Sequence, residues 1–181
     1  YANRFAHPMI DLYALEGIRL IAANIVQAVE NGNNINARAA LALGSLYGGL
    51  CLGPVNTGAV HALAYPLGGT FHVPHGVSNS VLLPHVLAFN IPAAVQRYAD
   101  IAIALGVEEN RIPEQLAQRG LEKLRQLSAQ SGIPAGLSNL GVPAEAITDM
   151  ARSAMKVTRL LNNNVRELTL ADAEVIYQAA Y

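Results

Sequence analysis

The 181-residue sequence predicts an all-α fold, a multi-helix bundle of about eight helices. Three observations carry that prediction. No run alternates apolar and polar residues for long enough to make a strand. Apolar residues recur at helical spacing between prolines that open helices and Gly or Asn residues that stop them. The stretch Ala39 to Gln96 runs fifty-eight residues without an Asp, Glu, Lys or Arg, yet holds four of the five histidines. Ionised side chains are almost never fully buried unless paired, so a segment free of them is expected in the core.

Taken in order, Pro8 opens a helix with Ile10, Tyr13, Ile18, Ile21, Ile25 and Val29 at helical spacing, stopped by Asn31-Gly32-Asn33-Asn34. A second helix is expected from about Ala37 to Leu50, and its small residues, among them Gly44 and Gly48, permit close approach to a neighbouring helix. A third, over residues 56–65, should end near Pro66, because a residue preceding proline disfavours helix. Gly68 to Pro74 is read as a loop, and a fourth helix starts near His75 or Gly76 and reaches Phe89, with Pro84 inside it as a kink. Pro92 opens a helix to Gly106, Pro113 one to Ser131-Gly132, and Pro143 a shorter one before a helical stretch over Met150–Leu161. Asn162-Asn163-Asn164 is a turn, and Thr169 with Asp172 has capping-box spacing before a last helix to Ala180.

Composition narrows the function. Apolar residues make up 52% and charged residues 14%, against roughly 25% charged in ordinary soluble domains. A single domain over residues 1–181 is the better reading of this length. The net charge of −1 points to neither nucleic acid nor an anionic membrane. Cys51, the single cysteine, excludes an internal disulfide and fits a reducing, cytoplasmic setting. Tyr1-Ala2-Asn3-Arg4 shows no apolar signal region, and a start other than Met fits a piece of a longer polypeptide. Ala39–Val55 is seventeen uncharged residues, short of the about 20 that a membrane span needs, so no span is expected. So little charge is consistent with a homo-oligomer, although no interface can be read.

The chemistry-bearing residues lie in the charge-free stretch. His61 and Tyr65 are four apart and share a helix face. His75 follows His61 by fourteen positions, and a chain that folds back between them would bring two imidazoles together, half of a first-row metal site. A pair of satisfied core histidines is the competing reading. His72 is read as a loop residue, His85 beside Pro84 as structural, His7 as a surface residue without function, and Cys51 as a small buried hydrophobe. The residues alone therefore reach a helical domain with a buried His-rich segment that is a candidate metal binder.

Longer motifs go further. Asn56-Thr57-Gly58-Ala59-Val60-His61-Ala62-Leu63-Ala64-Tyr65-Pro66-Leu67-Gly68-Gly69, continued through His72-Val73-Pro74-His75-Gly76 to Leu82-Leu83-Pro84-His85-Val86, resembles the iron-containing alcohol dehydrogenase family. Arg4-Phe5-Ala6-His7-Pro8 and the segment Leu168 to Tyr181 extend the resemblance over nearly the whole chain. It implies the family's C-terminal helical domain, without the N-terminal dinucleotide-binding domain. It also implies a divalent metal, iron or zinc, held by one Asp and three His, two of which fall on His61 and His75. The other two belong to an Asp-x-x-x-His pair that would precede Tyr1.

The implied reaction is hydride transfer between NAD or NADP and a small alcohol, aldehyde or hydroxy acid, with the metal polarising the substrate oxygen. The chain alone is then expected to be inactive. Many relatives carry a second His four residues after the first, where this chain has Tyr65, a pocket residue whose phenol donates a hydrogen bond but does not titrate near neutrality. Asn164-Val165-Arg166 stands where relatives often have Asn-Pro-Arg. Two rival functions remain: a metal-independent reductase of the maleylacetate reductase type, and a non-catalytic helical interaction domain.

Overall fold

A computed structural model describes residues 1–109 and 111–181, and among them it contains nine α-helices and no strand. They are α1 (Pro8–Glu30), α2 (Ile35–Leu52), α3 (Ala59–Phe71), α4 (His75–Asn90), α5 (Val95–Ala104), α6 (Pro113–Gln130), α7 (Ile147–Ala154), α8 (Thr158–Leu161) and α9 (Leu170–Ala179). The chain divides into two compact units: Tyr1–Asn56 with Ala94–Ser131, and Thr57–Ala93 with Gly132–Tyr181.

The first unit is built on α1 against α2 and α5 against α6. Gly17 and Gly44 let the first pair approach closely, since a Cβ on Gly17 would lie 3.1 Å from the Gly44 carbonyl oxygen. A Cβ on Gly120 of α6 would sit 2.5 Å from that of Ala102 in α5, so only glycine fits that crossing. Arg97 bonds the Tyr1 carbonyl oxygen at 2.9 Å and the Asp11 carboxylate at 2.6 Å. The expectation that the whole charge-free stretch is core fails here. Only Ala37 and Gly44 of α2 are buried, and Leu46 is 57% exposed. Helix α2 is also long and apolar enough to cross a membrane, with a mean hydropathy of 1.2. Lack of charge permits burial without requiring it.

The second unit holds the larger core. Leu63 and Leu67 of α3, Leu82 and Val86 of α4, Ala151 of α7 and Tyr177 of α9 are all fully buried together. This packing explains why α3 does not end at Pro66 as expected but continues to Phe71. Proline inside a helix costs about 3 kcal/mol, whereas burying each leucine returns about 1.5–3 kcal/mol. Tyr177 also donates its hydroxyl to the Leu63 carbonyl oxygen at 2.6 Å, fixing the backbone one turn before the proline. The expected loop from Gly68 to Pro74 shrinks accordingly to His72, Val73 and Pro74.

Other boundaries shift for local reasons. Asn34 caps α2, accepting from the Ala37 N–H, so that helix begins at Ile35. Ile91–Ala93 forms a 3-10 turn, and the α-helix expected from Pro92 starts at Val95. The stretch expected over Met150–Leu161 is split into α7 and α8. Helix α4 runs through Pro84, and the Thr169–Asp172 capping box forms as read.

An asparagine network closes the second unit. The Asn90 and Asn164 amides exchange two hydrogen bonds of 2.8 Å, and Asn164 also donates to the Arg166 carbonyl oxygen at 2.7 Å. Asn163 donates to the Thr57 carbonyl oxygen at 2.7 Å. Arg166 stacks over the Phe89 ring and donates to the Phe89 carbonyl oxygen. Both paired amides are buried, so removing one strands the other. Asn164→Ala should lower stability by about 1–3 kcal/mol, read as a lower urea midpoint. Adding Asn90→Ala should cost less than its own single effect, because the two side chains share one interaction.

Candidate metal centre

Two helices and the turn between them bring the candidate residues together. Helix α3 ends with His72 in the left-handed conformation, at φ 56° and ψ 25°. Histidine visits this region more readily than most non-glycine residues. The N–H groups of His72 and Val73 both point to the Leu67 carbonyl oxygen, Val73 at 3.2 Å. Val73 is buried, and Pro74, just before α4, sets the chain in an extended geometry that leads into the helix. Ser78, fully buried, donates its hydroxyl to the Val73 and Pro74 carbonyl oxygens, at 3.3 and 3.2 Å. The turn is thus held from both ends.

Its consequence is the meeting of His61 and His75. Their ring centroids lie 5.2 Å apart with the planes tilted by 57°. His61 is half-buried in the first turn of α3, and His75 opens α4 on the exposed side. Burial first, and then the neighbouring His75, lowers the His61 pKa below its ordinary value of about 6.5, favouring the neutral imidazole that a metal requires. Asn79, one turn after His75, donates its amide to the His75 carbonyl oxygen at 2.8 Å and lies beside the ring.

The separation of the two rings is compatible with a shared ion. A metal about 2.0–2.1 Å from each ring nitrogen stands roughly 3.2 Å from each ring centroid, and a tetrahedral angle then sets the centroids roughly 5.2 Å apart. Imidazole suits iron and zinc alike. No group of three or more His, Cys, Asp or Glu side chains that could hold a metal occurs among the described residues, so an ion held here would need ligands beyond the pair.

Tyr65, on the same helix as His61, is 44% exposed. His72 is exposed and acts through its backbone as the α3 cap. His85 is half-buried in α4. His7, read as having no role, caps α1, its Nδ1 accepting from the Met9 N–H at 3.2 Å. Cys51 is half-buried rather than buried. It donates to the Tyr47 carbonyl oxygen at 3.2 Å, and burial raises its pKa, as expected of an unreactive thiol. Asn79 was missed. Its position four residues after His75 on a predicted helix was the available signal.

The lowered His61 pKa fixes the sign of one pH effect. The unfolded chain holds that proton more tightly than the folded chain, so the neutral ring's contribution is complete above about pH 6.5 and lost as pH falls through the folded value. The urea midpoint should therefore fall between pH 7.5 and 5.5 by more in the parent than in His61→Gln.

Comparison with known proteins agrees with this architecture. Residues 1–181 match the profile described as the Fe-containing alcohol dehydrogenase family, C-terminal. The chain is 39% identical to long-chain-alcohol dehydrogenase 1 of Geobacillus thermodenitrificans over 182 residues, covering 100% of this chain and 46% of that enzyme. It is 33% identical to the NAD-dependent methanol dehydrogenase of Bacillus methanolicus, covering 99% of this chain and 47% of that enzyme. The crystal structure of a 1,3-propanediol oxidoreductase superposes with a TM-score of 0.97 at 37% identity, over 100% of this chain and 47% of that one. The chain thus spans about half the length of the curated relatives it matches, and over that span it belongs to the C-terminal part of the Fe-containing alcohol dehydrogenase family.

Proposed function

We propose that this chain is the metal-binding helical half of a nicotinamide-dependent alcohol dehydrogenase, acting with a nucleotide-binding half that precedes it in the full polypeptide. The observation that carries the reading is the His61–His75 separation of 5.2 Å, the spacing of two imidazoles on one ion. When bound, iron or zinc supplies Lewis-acid stabilisation of charge on the substrate oxygen, and NAD or NADP supplies or accepts the hydride. His61 and His75 are the two ligands this chain contributes, and an Asp and a His from the preceding half complete the set. Alcohols and aldehydes are the substrate class.

The work of the chain's own residues follows from their placement. Burial keeps the His61 ring neutral and its lone pair available. The short turn keeps His75 from drifting away from it. Tyr65, one turn beyond His61 and open to solvent on one side, offers a phenol O–H to the oxygen of a bound alcohol or aldehyde. That single donor orients the substrate oxygen.

Elemental analysis tests the reading. The full-length polypeptide, purified without oxygen, should carry about one equivalent of iron or zinc, and both His61→Ala and His75→Ala should lose it while remaining folded. A folded parent that binds cofactor but no metal would instead support a metal-independent reductase. The 181 residues alone should bind metal weakly and turn over no alcohol or aldehyde, because they supply two of the four proposed ligands. Measured turnover by the isolated chain would overturn that division of labour.

A further inference from the structure

The Asn79 side-chain amide contacts both the ring and the backbone of His75. Its Nδ2 lies 3.3 Å from Nδ1 and 3.2 Å from Nε2 of the His75 ring, and 2.8 Å from the His75 carbonyl oxygen. A carbonyl only accepts, so the nitrogen end of the amide must be the one facing it, which fixes the amide's orientation. The near-equal distances to the two ring nitrogens place Nδ2 over the ring face, because an atom in the ring plane that far from both would collide with a ring carbon. An N–H over an imidazole face is a weak contact. It leaves both in-plane nitrogen positions open to other partners while denying the ring one side of its rotation.

The other end of the amide is as unusual. Asn79 Oδ1 is buried with no protein donor, the one such side-chain atom among the described residues. Native structures rarely leave a buried acceptor unpaired, and the exceptions cluster where a ligand, an ion or water completes them. This one lies on the side chain that touches His75.

We infer that Asn79 is a positioning residue for His75: clamped to the His75 backbone, its amide covers one face of the imidazole and holds the ring with its in-plane nitrogens available to a metal shared with His61. The inference rests on the proposed metal centre. It predicts that substitution of Asn79 weakens metal binding about 10- to 100-fold, the usual effect of losing a group that orients a ligand.

Cobalt(II) is the probe, added to the metal-stripped full-length polypeptide, with affinity read by chelator competition and coordination by visible absorption. Asn79→Leu fills the same volume with no polar atom. Asn79→Ser keeps a donor for the His75 carbonyl, as Ser80 already does for Gly76 at 2.8 Å, but is too short to cover the ring. Both variants should bind cobalt about 10- to 100-fold more weakly, with an altered absorption band and an unchanged melting temperature in the metal-free state. Parental affinity and spectrum in either variant would overturn the inference while leaving the metal centre standing. Loss of affinity matched by loss of the metal-free fold in both variants would make Asn79 structural and overturn it too. A parent that binds no cobalt would instead bring down the metal centre, and this inference with it.

Discussion

The reversal at His72-Val73-Pro74 is the constraint on which the candidate site depends. Three residues turn α3 into α4, and each is held: His72 by its left-handed backbone, Val73 by burial, and Pro74 by its ring. The Leu67 carbonyl gathers two N–H groups from one side of the turn, and Ser78 bonds its two carbonyls from the other. A long flexible loop would also let His61 and His75 meet, but at the entropic cost of ordering every residue in it. The observed turn orders them on folding. The two rings thus meet in an arrangement already set by the core.

That core accounts for Pro66. Read locally, the proline ends α3, and the glycines after it make a loop. Read with the packing, the same residues continue a helix whose inner face carries Leu63 and Leu67, both fully buried. Pro66 has no N–H to offer the Ala62 carbonyl, a local loss that the buried face outweighs. About one and a half more helical turns then carry the chain to His72, where the reversal begins.

Much of this was legible from residues alone. The proline starts at Pro8 and Pro113, the asparagine stop after α1 and the Thr169–Asp172 box are local signals that the helices obey, whereas Pro92 lies in a 3-10 turn. Meeting of His61 and His75 was legible as a spacing, and the family as a long motif. What escaped depends on contacts between residues far apart in sequence. The pairing of Asn90 with Asn164 spans seventy-four positions, and that of Tyr177 with Leu63 spans 114. The exposure of α2 escaped for another reason: a charge-free sequence says what a helix can tolerate, and only its neighbours decide what it buries.

The distribution of satisfied polar groups also singles out the neighbourhood of His75. In the second unit, Ser78, Asn90, Asn164 and the Tyr177 hydroxyl all have hydrogen-bond partners in the protein. Stability alone favours such an arrangement, since a buried acceptor without a donor is a standing cost. The exception is Oδ1 of Asn79, on the side chain that lies across His75, which is itself in ring contact with His61. Proteins tend to leave such groups unpaired where function requires it. The histidine pair is therefore set apart twice, once by the contact of its two rings and once by the unpartnered oxygen of its neighbour.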